Sequence, residues 1–231
     1  MLTVKFPPLA RKLTRFRIVL LAAMLAAVGS CGGNEITVFP PGLEPLERNT
    51  ASFPAGRPEN QYPEELNLVS GEVPGMYFWT HARGYINVPV ARAWEALREP
   101  DVCVDRRQIT EWMVTRDVEP GYDYSFRLHD IVRNVITIDF DMTWRSSSVE
   151  AGDGGPLSVA LRFSKTAGST FITLSTAFIL ARHVNANTTS FDMVYHIKAF
   201  AQDVARTEAF VRDYFASAVA FAHGRPLPTY R

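Results

Sequence analysis

Side chains able to do chemistry are few in this chain and widely scattered. The five histidines (His81, His129, His183, His196, His223) include no pair three or four apart and no His-x-His, so spacing offers no metal-ligand set. Asp139 and Asp141 could pair as general acid and base. They recur at strand period on a polar face, where solvated carboxylates are the plainer reading. His129 and Asp130 are adjacent, and neighbours in a strand point to opposite faces, so they make no simple dyad. His196 and Asp192 share one face with Val194 between them, whereas Phe191, Met193, Tyr195 and Ile197 occupy the natural core side. From that side Tyr195 can present its hydroxyl to a cavity as a polar handle in an apolar wall. No G-x-S-x-G elbow or phosphate-cradling loop is present, and Gly152-Asp153-Gly154-Gly155 reads as a hairpin turn. No catalytic residue, metal or cofactor is assigned on this pattern.

The two cysteines carry a sharper signal. Lys5, Arg11, Lys12, Arg15 and Arg17 precede an apolar run from Ile18 to Val28, followed by Val28-Gly29-Ser30-Cys31. A basic segment, a short apolar run and small residues before a cut site describe a secretory signal over residues 1–30. The run is too short for a permanent span of a bilayer core about 30 Å thick. The small-residue triplet ending in cysteine resembles a bacterial lipobox. That resemblance implies a mature protein beginning at Cys31, acylated on its thiol and N-terminus with palmitate-type chains. Several chains anchor a protein stably where one does not. Gly32-Gly33 after the cysteine resembles lipoproteins sorted to the periplasmic side of the outer membrane, if the host is Gram-negative. An acylated Cys31 leaves Cys103 without a disulfide partner, as a small buried apolar residue; an unacylated Cys31 leaves a Cys31–Cys103 bridge open.

Charge narrows the partners. The formal net charge of zero includes five basic and no acidic residues in the leader. Cleavage leaves 19 Lys+Arg against 24 Asp+Glu, a net charge of −5. Nucleic acid, whose phosphates demand clustered cations, is therefore not an expected partner. Seven of the fifteen prolines (Pro40, Pro41, Pro45, Pro54, Pro58, Pro63, Pro74) fall between residues 32 and 75. Proline breaks helices and removes ladder donors, so 31–75 reads as the lipidated cysteine and an extended tether. Part of it, Leu66-Asn67-Leu68-Val69 for example, can alternatively pack on the domain as an arm.

From residue 76 the pattern turns to strands. Tyr77 to Val88 is aromatic and β-branched, and Pro89 suits the first turn of a helix carrying Val90, Ala93, Trp94 and Leu97. A second short helix is expected over Asp101 to Arg107. Strand-like runs then follow over Gln108–Val118, Tyr122–Val132, Val135–Val149, Leu157–Lys165, Thr170–Val184 and Thr188–Phe200, separated by turn residues. Their short connections imply an antiparallel meander. Ile136, Ile138, Phe140, Met142 and Trp144 share one face of their strand, as Leu157, Val159, Leu161 and Phe163 do of theirs, predicting one covered face and one wet face. The cover is a helix from Ala201 to Ala222, with Val204, Val211, Phe215, Ala218 and Ala222 in a stripe broadened by Phe210, Tyr214 and Phe221.

This order of elements, with Gly84-Tyr85-Ile86-Asn87-Val88-Pro89 leading into Val90-Ala91-Arg92-Ala93-Trp94-Glu95-Ala96-Leu97, resembles the START/Bet v 1-like (SRPBCC, polyketide cyclase-like) superfamily. The implied class is α+β: a helix-grip fold, with a curved antiparallel sheet of about seven strands wrapped around a long C-terminal helix. It would cover 76–224, leaving 225–231 as a short tail. The resemblance further implies an apolar cavity between sheet and helix, lined by Ile138, Phe140, Met142, Trp144, Leu161, Phe163, Leu174, Phe178, Met193, Tyr195, Val211 and Phe215. Three functions compete. The first is a lipid-anchored envelope protein that binds or carries a hydrophobic small molecule (lipid, isoprenoid or polyketide-like). The second is a structural or interaction lipoprotein whose cavity is filled by its own aromatics. The third is a cyclase or dehydratase, which needs a proton-moving group inside the cavity; inward-facing acids or histidines are not evident.

Overall fold

The computed structural model describes residues 37–133 and 136–230; the leader and Cys31 lie outside the described residues. From Val38 onward the chain forms one unit. Its elements are β1 (Leu66–Val73), β2 (Tyr77–Ile86), α1 (Val90–Leu97), α2 (Pro100–Cys103), β3 (Glu111–Arg116), β4 (Tyr124–Arg133), β5 (Thr137–Gly152), β6 (Gly155–Gly168), β7 (Ile172–Asn185), β8 (Thr188–Ala199) and α3 (Val204–Ala222). The strands form one curved antiparallel sheet in the order β1-β2-β8-β7-β6-β5-β4-β3. Strands β3 to β8 are the expected meander. α1 and α2 cross over so that β2 joins the free edge of β8. α3 lies in the sheet's concave face, which makes this a helix-grip fold of the α+β class.

Two expectations are corrected. The sheet has eight strands, because Leu66–Val73 pairs with β2 from Leu66↔Gly84 to Val73↔Tyr77. Gly75, at φ +71°, makes the turn between them. The folded unit thus begins well before residue 76, and the tether read over 31–75 is packed chain from 38 on. The second correction concerns the sheet's outer face, which is not simply wet. Leu43 is fully buried there against Ala160, Phe178 and Leu180, with Phe39, Leu46 and Tyr122 beside them. A proline-rich segment cannot pair as a central strand, but it can lie across a sheet and cover apolar side chains.

The concave face carries the main core. Phe126, Trp144, Phe163, Phe191, Tyr214 and Phe215 are buried together. Trp144 is within 6 Å of the rings of Phe126, Phe163 and Tyr214. Burying each such side chain is worth about 2 kcal/mol. Tyr214 also hydrogen-bonds the carbonyl of Leu97 at 2.6 Å, tying α3 to α1. α3 starts at Val204 rather than Ala201 because the Asp203 carboxylate caps it, accepting from the Arg206 backbone N–H at 2.7 Å. The short helix expected over 101–107 is one turn, Pro100–Cys103. Gly84 marks a close approach between β2, the start of β1 and α3. A Cβ there would sit 2.5 Å from the Glu65 carbonyl oxygen and 3.2 Å from the Phe215 ring. Among the described residues no helix is long and apolar enough to cross a membrane.

Candidate functional site

An apolar cavity of about 130 Å³ lies between the sheet and the first turns of α3. Leu128, Asp130 and Val132 face it from β4; Ile138, Phe140, Met142 and Trp144 from β5; Phe163 from β6; Ile172 and Ser175 from β7; and Tyr195 and Ile197 from β8. Cys103, Asp105, Gln108 and Ile109 close one side, and Phe210 of α3 forms the floor. Phe171 and Phe200, rings 5.9 Å apart, stand at the rim. A polar vestibule of about 460 Å³ shares Asp105, Gln108, Val132 and Phe210 with the cavity and is lined also by Arg107, Arg133 and Arg206. The guanidinium of Arg133 pairs with Glu111 at 2.5 Å.

Of the residues expected to line a cavity, Ile138, Phe140, Met142, Trp144, Phe163 and Tyr195 do so. Leu161, Met193, Val211 and Phe215 belong to the same core but pack away from the cavity. Leu174 and Phe178 are corrected: they project from the opposite face, and Phe178 packs under Leu43. The register between β7 and β8 shifts between Ile172 and Leu174. Ser175 therefore joins Ala177, Ile179 and Ala181 on the inner side, putting Leu174 and Phe178 out of phase. Size was a poor guide here. The small Ala177 and Ala181 face inward because large aromatics from α3 and the neighbouring strands fill the space opposite.

Sequence reasoning anticipated Tyr195 as a polar handle but missed the cavity's acids: Asp105 and Asp130 line it, which corrects the expectation that no inward-facing acid is evident. Asp130 is 4% exposed, and its Oδ1 is buried with no hydrogen-bond partner among the described residues. Burial pushes its carboxyl up to about 7; neighbouring His129 pulls it down, and the charges of Asp105 and Asp141 push it further up. Asp105 is also raised, chiefly by burial, although its carboxylate accepts the Arg107 backbone N–H at 3.1 Å. Tyr195 meets the Ser175 hydroxyl at 3.4 Å, and burial holds its phenol well above the ordinary value. The Trp144 indole N–H is buried, with no partner among the described residues. Cys103 is free and buried, its thiol pushed up by desolvation and therefore unreactive. The signal for Asp130 was legible. In Phe126-Arg127-Leu128-His129-Asp130-Ile131-Val132, strand period places Asp130 with Phe126, Leu128 and Val132 on the inner face. His129 then points outward, where it pairs with Asp141 across the ladder at 2.8 Å.

A second polar cluster sits on the outer face. Ligating atoms of Glu47, His81 and His196 lie within 4.8 Å of one another, a donor set that suits a divalent cation. Its hydrogen bonds decide otherwise. The Thr50 backbone N–H donates to His81 Nδ1 at 3.0 Å. The ring proton therefore sits on Nε2, which donates to Glu47 Oε1 at 2.7 Å. A cation on Nε2 would need the proton on Nδ1, facing that N–H. His196 Nε2 reaches the same oxygen at 3.0 Å. Burial raises Glu47, but the bonds from both histidines outweigh it and leave the carboxyl below its ordinary value. Beside it, Asn49 donates to the Ala82 carbonyl at 2.9 Å, and Asp192 pairs with Arg83 at 2.7 Å. Asp192 and His196, neighbours on one face as expected, thus fasten the arm to the sheet. Cross-strand partners from β2 and the arm made this cluster invisible to spacing along the chain.

No family model and no curated protein matches this chain. Solved structures with a similar course include human StAR-related lipid transfer protein 5, at 8% identity and TM-score 0.47 over 91% of this chain and 94% of that one. A Streptomyces Zhui aromatase/cyclase follows at 11% identity and TM-score 0.39, covering 69% of this chain and 93% of that one. Human StarD13's lipid transfer and protein localization domain is at 11% and 0.44, covering 71% and 85%. Likenesses this distant leave function to the site itself.

Proposed function

We propose that this protein is a lipid-anchored envelope protein whose helix-grip domain binds an apolar small molecule between sheet and α3. The observation that carries the reading is the cavity itself. Large aromatics do not close it, and its wall is apolar apart from a few convergent polar groups. A space of about 130 Å³ admits roughly one ring or a short branched chain, since an engineered cavity of about 150 Å³ takes up benzene. A longer ligand would extend into the vestibule. Asp105 and Asp130 line the cavity, so the inward-facing acid that a cyclase or dehydratase needs is present, and that reading stands as the alternative.

Native mass spectrometry of the chain from residue 32 onward, purified without detergent, tests the reading. A stoichiometric apolar adduct, identified after organic extraction, is expected. A clean apo mass with no uptake of added apolar ligands would leave an interaction lipoprotein as the better account.

Anchoring rests on the basic, apolar and small-residue order that ends at Cys31. In cells labelled with a palmitate analogue, the full-length chain is expected to incorporate label and to fractionate with membranes. Cys31→Ser should abolish both. Label retained in that variant would remove Cys31 from the account.

A further inference from the structure

Polar groups buried in an apolar wall are costly unless they meet a partner. In the cavity described above, one group stands out. Asp130 projects from the middle of β4 between Leu128 and Val132, almost wholly buried, with Oδ1 unpartnered among the described residues. No arginine or lysine lines the chamber to neutralise it. The charged and titratable groups around it are Asp105 from the loop after α2, Cys103 from α2, Asp141 from β5, and His129 on its own strand. Two of these are carboxylates, and His129 is turned to the opposite face and bonded to Asp141. An isolated carboxylate in this setting is best accommodated in its neutral form, as an O–H donor.

We propose, on the reading of the cavity as a ligand site, that Asp130 selects its ligand by donating its carboxyl proton to an oxygen of an otherwise apolar molecule. The ligand class is therefore an apolar ketone, aldehyde or alcohol rather than a plain hydrocarbon. A ligand that places a carboxylate inside the chamber is disfavoured, since its charge would face Asp105 and Asp130 with no cation in the chamber lining. Burial raises the Asp130 carboxyl to about 7, so the donor is present at and below neutral pH. It is lost above that, when the ionised group can only accept: a carbonyl oxygen is then repelled, whereas an alcohol can still donate to it.

Acetophenone and α-methylstyrene make the test, because they share one skeleton and differ by C=O against C=CH₂. Binding to the chain from residue 32 onward is followed through the tryptophan indole N–H resonances, Trp144 lying in the cavity wall. At pH 6 the ketone should bind about tenfold more tightly, and the preference should shrink towards parity by pH 9. Asp130→Asn keeps a donor and should retain the preference without its pH dependence; Asp130→Leu should abolish it while α-methylstyrene still binds. Circular dichroism confirms that each variant is folded. Equal binding of both probes by the native protein overturns the role of Asp130 and leaves the cavity reading standing. So does a preference that survives in Asp130→Leu. Binding of neither probe overturns both.

Discussion

Asp130 is the residue at which stability and recognition pull apart. Its ordinary value is 3.8 and its value in the folded protein is about 7. Between those limits the native state holds a proton that the unfolded chain releases, so stability is full below about pH 4 and falls as pH rises to about 7. The shift corresponds to about 4 kcal/mol as an order of magnitude. Asn does not titrate. In urea unfolding, Asp130→Asn should therefore gain on the native protein by a few kcal/mol, about 2–4, between pH 4 and pH 8. A difference that stays constant across that range would mean that Asp130 is not the buried acid described here. Glu47 is the contrasting carboxyl: two histidine donors keep it ionised, and it fastens rather than recognises.

Among the elements, the arm that precedes β2 decides more than its composition suggests. Its prolines prevent regular pairing, yet Leu43 seals the outer face, Asn49 and Glu47 hydrogen-bond to β2 and β8, and β1 completes the sheet. Removing it would expose Phe178 and Leu180 and free the edge of β2. Leu43, Phe178 and Leu180 together represent about 5 kcal/mol of burial, a large share of a domain's usual 5–15 kcal/mol. A chain beginning at residue 76 is accordingly expected to be insoluble or to melt at least 10 °C lower than one beginning at residue 32. Equal melting temperatures would show the arm to be a passive cover. The sequence pattern marked this segment as irregular but was silent on whether it packs. Irregular backbone carries no periodicity, and its partners are distant in sequence, 33 residues from Asn49 to Ala82 and 143 from Asn49 to Asp192.

Across the whole molecule, what the chain order decides and what the folded contacts decide separate cleanly. The helix-grip arrangement came from resemblance. The sequence alone determined the order of elements from β2 to α3, because alternation along β5 and β6 and the apolar stripe of α3 are local consequences of strand and helix period. It also determined which face of β5 is inner, placing Phe140, Met142 and Trp144 correctly. The tertiary structure decided the eighth strand, the arm's cover over Phe178, and the inner face of β7. A single register shift beside Leu174 reverses every later side chain, and periodicity cannot announce it. It also decided which polar groups meet. Glu47, His81 and His196 converge from three separate segments onto one oxygen. The inner-face position of Asp130 is legible in sequence; that its Oδ1 has no partner among the described residues follows only once β5, β8 and α3 close around it. Local period sets where a side chain points, and only the assembled fold sets what it meets there.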